Sequence, residues 1–213
     1  YKSNVHNILM TFTALGYLTQ DVETGKFRLG VSIMSLSRAF REGLDITRIV
    51  VPFMREIANK AGELVYLTIP RDDSVVYLEG ISPDNQRMVS KSVAGEYCKM
   101  YCTSVGKAML ANMPKEEVEK CISGKLEAYT ENTITDKKSL LEEIEKTRIR
   151  GYGIDDMEIM FGIKCVGVAL LNHDGKVEGG LSISAPSLRM SDEKIELYAN
   201  ILKEYAAKIQ KML

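Results

Sequence analysis

Histidine is scarce in this chain: among 213 residues only His6 and His173 carry an imidazole. A nucleophilic cysteine normally needs a base beside it. A cysteine-dependent enzyme, with Cys165 as nucleophile and Asp155 as acid–base group, therefore lacks its usual partner, because His6 lies in a segment of different character. The four cysteines, Cys98, Cys102, Cys121 and Cys165, do not show the dense Cys/His spacing of a structural zinc site. No metal site is assigned and no cofactor is called for. No apolar run reaches the length of a membrane span, and no signal peptide opens the chain. A cytoplasmic protein with reduced thiols and no membrane partner is expected. The net charge of −1 excludes a uniformly basic nucleic-acid binder. Internal repeats and low-complexity stretches are also missing. Hydrophobic residues, at 45%, are plentiful enough for a proper core.

The few charges near the N-terminus are unevenly signed. Residues 1 to 40 hold Lys2, Lys26, Arg28 and Arg38 against Asp21 and Glu23. In the same stretch Val5, Ile8, Leu9, Phe12 and Leu15 recur at helical spacing, while Lys2, Asn4, His6, Asn7 and Thr11 fall on the other face. Gly16 then ends the helix. Two short β-runs follow, Tyr17 to Gln20 and Lys26 to Leu29, joined by a turn that contains Gly25. A short polar-faced helix followed by a hairpin suits a major groove, with the strand ribbon on the adjacent backbone. Ser3, Asn4, His6 and Asn7 are the candidate base readers, and Lys2, Lys26 and Arg28 the candidate phosphate contacts. An ordinary helix–hairpin unit in a globular core fits the same local pattern. A helix-turn-helix also needs an earlier helix to brace the reader. Tyr1 lies two residues before the helix start, so a fragment, or a loss of upstream residues, is expected.

Three segments are expected: a partial winged helix-turn-helix over residues 1–30, a linker helix over 31–43, and a larger domain over 44–213. The linker helix, Val31 to Glu42, is as well suited to pairing between subunits as to a surface. A helix to about Lys60 opens the larger domain. Strands are expected at Leu64–Pro70, Val75–Gly80 and Arg87–Val93. Helices follow at Thr103–Asn112, Lys115–Ile122 and Asp136–Arg150, then a strand from Gly151 to Asp155. Cys165–Asn172 and Val177–Ala185 form a hairpin around Asp174-Gly175, and Ser191–Met212 closes the chain as a helix. Strand runs interrupted by helices imply an α+β fold with an antiparallel sheet, not a doubly wound parallel one.

Three motifs, LGYLTQDVETGKFRLG, TSVGKAMLA and RGYGIDDMEIMFGIKCVGVALLNHDGKVEGGLSISAP, stand in order along the chain. Together they resemble the IclR family of bacterial transcription regulators over the whole length. The resemblance implies a winged helix followed by a GAF/profilin-like sheet flanked by helices, double-stranded operator DNA as a partner, and homodimers or homotetramers. It also implies a ligand-responsive regulator whose effector pocket is built from Ser104, Val105 and Gly106, Asp155, Cys165, Ser182 and Ser184.

The residues themselves make sense as such a site. Ser104 to Gly106 would open a helix, where free N–H groups favour an anion. Ser182 and Ser184, two apart on a strand, face one side. A small carboxylate bearing a hydroxyl or keto group, such as a 2-oxo acid or a sugar acid, fits these donors and acceptors. Each residue also has a structural alternative: the serines satisfying backbone, Cys165 a buried inert thiol, Asp155-Asp156 a strand-end turn pair. The chain departs from the family at Lys99-Met100-Tyr101, where many relatives carry Pro-Leu-His. Tyr101 would put a phenol in place of an imidazole, with Cys98 and Cys102 on either side, and Cys98 and Tyr101 join the expected effector set. Met157 interrupts the acidic run that follows Asp155. A thiol- or metal-responsive regulator using Cys98, Cys102 and Cys165 is the alternative signal.

Overall fold

The structure is a computed structural model that describes residues 2–85 and 93–213. The strand expected over Arg87–Val93 lies outside the described residues, apart from Val93, which is in no strand. The chain divides into two compact units, Tyr1–Asp45 and Ile46–Leu213.

In the first unit, α1 (Lys2–Ala14) precedes a two-stranded antiparallel sheet of β1 (Leu18–Gln20) and β2 (Phe27–Leu29). Gly16 closes α1 with φ of +75°, a conformation that a side chain would disfavour. It lets Tyr17 turn back, so that its ring meets Phe12 edge-on at 6.0 Å. The hairpin turn is organised by Asp21, whose Oδ1 accepts from the backbone N–H groups of Glu23 and Thr24 at 3.1 and 2.8 Å. Next comes α2 (Ile33–Glu42), which has no buried residue.

In the second unit, α3 (Asp45–Ala61) leads into β3 (Leu64–Arg71) and β4 (Ser74–Ile81). The loop expected over Arg71 to Ser74 is tighter than that, because Arg71 and Ser74 still pair and only Asp72 and Asp73 turn. Asp72 makes this work at φ of +54°, a conformation that aspartate tolerates better than most residues. β5 (Tyr97–Lys99) was not expected. A 3-10 turn, Met100–Cys102, joins it to α4 (Ser104–Leu110). Then follow α5 (Lys115–Cys121), α6 (Lys137–Arg150), β6 (Gly153–Asp156), β7 (Ile163–Leu171), β8 (Val177–Pro186) and α7 (Asp192–Ile209). Capping side chains start three of these helices. Thr103, Asp136 and Ser191 accept from Gly106, Ser139 and Lys194 N–H groups.

The sheet is antiparallel throughout, in the order β5-β4-β3-β8-β7-β6. Val65, Leu67, Val166, Val168, Leu181 and Ile183 alternate onto one face and are buried. α7 packs along β7 and β8 and is joined to α3 by the Lys60–Glu204 ion pair and the Phe53–Tyr205 ring contact. On the other face α4 lies very close to the strands, over glycines. A Cβ on Gly167 would sit 2.6 Å from the Val105 nitrogen, and one on Gly153 would strike the Ser104 carbonyl. Met100, Val105, Met109 and Leu110 then pack with Leu126, Leu140 and Ile144 in a core on this side. The fold is thus α+β: a helix with a two-stranded wing, then an antiparallel sheet flanked by helices.

Candidate effector cavity

The glycines that admit α4 leave the neighbouring stretch of the same sheet face uncovered. There Asp155 pairs with Cys165, Cys165 with Ser184, and Ser184 with Leu64. Directly opposed residues point to one face, so four adjacent strands lay these side chains in one transverse row. With strands about 4.8 Å apart, the row spans roughly 14 Å. It floors a cavity of about 790 Å³, a size that suits a small ligand. Tyr66, Tyr77 and Cys98 wall one side, and Ile159, Met160 and Ile163 the other. Glu63 and Arg189 stand at the rim, joined by two bonds of 2.6 Å.

The polar groups of the floor are mutually bonded. The Cys165 thiol donates to Ser184 Oγ at 3.3 Å. Asp155 Oδ1 accepts the Glu158 backbone N–H at 2.7 Å. Burial pushes the Asp155 carboxyl up to about 7, with the like charge of Glu158 adding to the rise, while N–H groups of Glu158 and Ile159 and the Lys107 ammonium oppose it. Burial also raises the thiols of Cys98, Cys102 and Cys165, which keeps them protonated and weakly nucleophilic. Tyr66 is raised to about 12, chiefly by burial, so its phenol stays a neutral donor.

Behind the floor, Lys107 is 1% exposed. It forms an ion pair with Glu158 and donates to the Ile154 carbonyl at 2.9 Å. The turn that carries Glu158 passes through Met157 at φ of +61°, where a side chain is strained. Side chains of the preceding loop hold it: Thr130 Oγ1 donates to the Met157 carbonyl and Thr133 Oγ1 to the Glu158 carbonyl, both at 2.7 Å, and Asn132 reaches the Asp156 carbonyl at 3.0 Å.

Of the nine expected effector residues, Cys98, Asp155, Cys165 and Ser184 line the cavity; the other five do not. Tyr101 points away and donates to the Glu127 carbonyl at 2.7 Å, so it does not bring a phenol to the site. Ser104 and Val105 are spent on contact with the glycine strands, and Gly106 accommodates the backbone of Met100, not a ligand. The Gly106 N–H, expected to be free, is taken by Thr103 Oγ1 at 3.1 Å. Ser182 lies one step nearer α4, between Gly167 and Tyr66, and is 3% exposed. Sequence reasoning missed Tyr66, Tyr77 and the Glu63–Arg189 pair. Alternation along Leu64–Pro70 puts Tyr66 on the face of Leu64, which was a usable signal. The pairing that brings Tyr77 within 5.1 Å of Tyr66 was not visible locally. Cys98 and Cys165 share the cavity, whereas the Cys102 thiol turns to the Lys99 carbonyl at 3.5 Å. Among the described residues no group of three His, Cys, Asp or Glu side chains is placed to hold a metal ion.

In the first unit Lys2, Ser3, Asn4, His6 and Asn7 are all exposed on α1, and Lys26 and Arg28 on the wing. Arg28 is 3.3 Å from Asp21, so part of its charge is already answered. Among the described residues no helix is long and apolar enough to cross a membrane.

Known proteins share this sequence and fold. The family model for the bacterial transcriptional regulator IclR C-terminal region matches residues 39–211. The HTH-type transcriptional regulator KdgR of Escherichia coli is 35% identical over 210 residues, covering 98% of this chain and 79% of that protein. The crystal structure of Thermotoga maritima IclR superposes with a TM-score of 0.82 at 30% identity, over 99% of this chain and 85% of that one. The crystal structure of the C-terminal domain of E. coli KdgR gives 0.71 at 32% identity, over 79% of this chain and 98% of that domain. The relatives named are transcriptional regulators, and full-length KdgR and Thermotoga maritima IclR match along the winged segment as well as the sheet. The chain belongs to the IclR family of bacterial transcriptional regulators.

Proposed function

We propose that this chain is a cytoplasmic, ligand-responsive regulator that binds operator DNA as a dimer or tetramer and senses a small carboxylate metabolite in the cavity of its second unit. The observation that carries this is the row Asp155, Cys165 and Ser184 on three neighbouring strands, flooring a cavity of about 790 Å³. Hydroxyl, thiol and carboxyl groups at strand spacing suit a short molecule carrying hydroxyl or keto oxygens as well as an acid. The exposed start of α1 offers Asn4 and Asn7 to base edges, and the wing's Lys26 and Arg28 to phosphates. Assembly is supported by α2, whose Met34 and Phe40 are 72% and 59% exposed in the single chain. Effector binding would act by favouring one assembled state over another.

A thermal-shift series with 2-oxo acids and sugar acids tests the cavity, since a ligand that binds the folded state raises the melting point. Ser184→Ala is expected to weaken the shift-inducing acid by about fivefold, the loss of one hydrogen bond. An unchanged affinity would remove Ser184 from the site. Operator footprints of Asn4→Ala/Asn7→Ala are expected to lose sequence selectivity; a footprint identical to wild type would rule out α1 as the reader.

A further inference from the structure

The acids around the cavity are not equivalent. Glu63 is committed to Arg189 and Glu96 lies on the side of Tyr66 and Cys98, whereas Asp155 lies in the floor between a neutral thiol and open space. Asp155 is faced by Glu158 from its own turn, Lys107 from α4, Cys165 from β7, Cys98 from β5, Cys102 from the 3-10 turn and Tyr77 from β4. Lys107 is already matched by Glu158. Burial keeps the three thiols and the phenol uncharged. Among the described residues, a carboxylate laid on this floor therefore meets a second carboxylate, away from bulk water, with no spare cation beside it. Two such groups in contact cannot both stay ionised.

We propose that an acidic effector occupies this cavity together with one proton, shared between its carboxylate and the Asp155 carboxyl. The proton comes from solvent and returns there on release. The linkage rests on the acid-effector function proposed above and adds a selectivity rule to it. An acid gains affinity as pH falls, while its neutral amide does not. Free Asp155 titrates near the working range, at about 7. The apparent affinity scales with the protonated fraction, so the Kd of an acid should weaken about tenfold from pH 6 to pH 8.

Calorimetry on the full chain with pyruvate, gluconate and glucuronate, at both pH values and in two buffers of different ionisation enthalpy, tests this. The expected result is uptake of nearly one proton per acid at pH 8, little at pH 6, and the tenfold change in Kd. Asp155→Asn carries a permanent N–H donor in the same shape. It should bind the acid with a flat pH profile and no uptake. Ser184→Ala should bind more weakly at both pH values with the slope intact. A pH-independent Kd in the wild type, or a slope that persists in Asp155→Asn, overturns the linkage. Should Asp155→Asn fail to fold, the proton count of the wild type decides alone. If none of the three acids binds at either pH, the effector class proposed above is what fails.

Discussion

Lys107 has almost no contact with water and is paired with Glu158, which is buried too. Lys107→Met strands a buried carboxylate and should cost about 3–5 kcal/mol in urea unfolding. Lys107→Met/Glu158→Gln should recover most of that, and equal loss in single and double variants would show that the pair does not act as one. Asp155 gives a second test. Its folded value is raised above the ordinary carboxylate value, so the stability it contributes is present at low pH and lost as pH rises through about 7. The urea midpoint of the wild type should therefore fall relative to Asp155→Asn between pH 5 and pH 8; parallel profiles would contradict the raised value. Asp155, Cys165 and Ser184 were legible as candidates because the family motifs carry them; strand alternation pointed only to Ser182 and Ser184, and of those two only Ser184 lines the cavity. Tyr101 was misplaced because its direction depends on a carbonyl at Glu127, far along the chain. Lys107 went unnoticed because a lysine in a helix reads as a solvated charge until its burial is known.

At the scale of elements, α4 sets where the cavity can be. Its start rests on Gly153 and Gly167, and the open floor begins at the next residues along those strands, Asp155 and Cys165. Gly167→Ala would push Val105 off the sheet and should destabilise the fold by about 1–3 kcal/mol, seen as a lower urea midpoint. An unaffected midpoint would mean that the helix shifts freely. The starts of α4 and α7 were readable because Thr103 and Ser191 are capping residues with a local partner, and Asp136 caps α6 in the same way. β5 was not, since three residues carry too little alternation and its pairing with β4 is a tertiary contact. The β3–β4 turn was drawn too long for a similar reason. Asp72 accepts a left-handed conformation that composition alone does not announce.

The whole molecule separates a unit of exposed polar donors, Tyr1–Asp45, from one that holds the cavity, Ile46–Leu213. Residues 46–213 expressed alone should keep the wild-type affinity for the acid that binds the full chain while losing operator binding. Loss of acid binding in that piece would place part of the site elsewhere. The change from helical to alternating texture after Gly62 made the sheet region visible in the sequence, but the central pairing of β3 with β8 joins residues more than a hundred positions apart and had no local trace. That pairing, with those of β6 and β7, has a consequence for any occupant of the floor. A molecule lying across Leu64, Ser184 and Cys165 fastens together peptides of which the first is about a hundred positions or more from the other two in the chain. Its arrival should slow amide deuteration in all three at once, a signature that a surface-bound additive touching one segment would not leave.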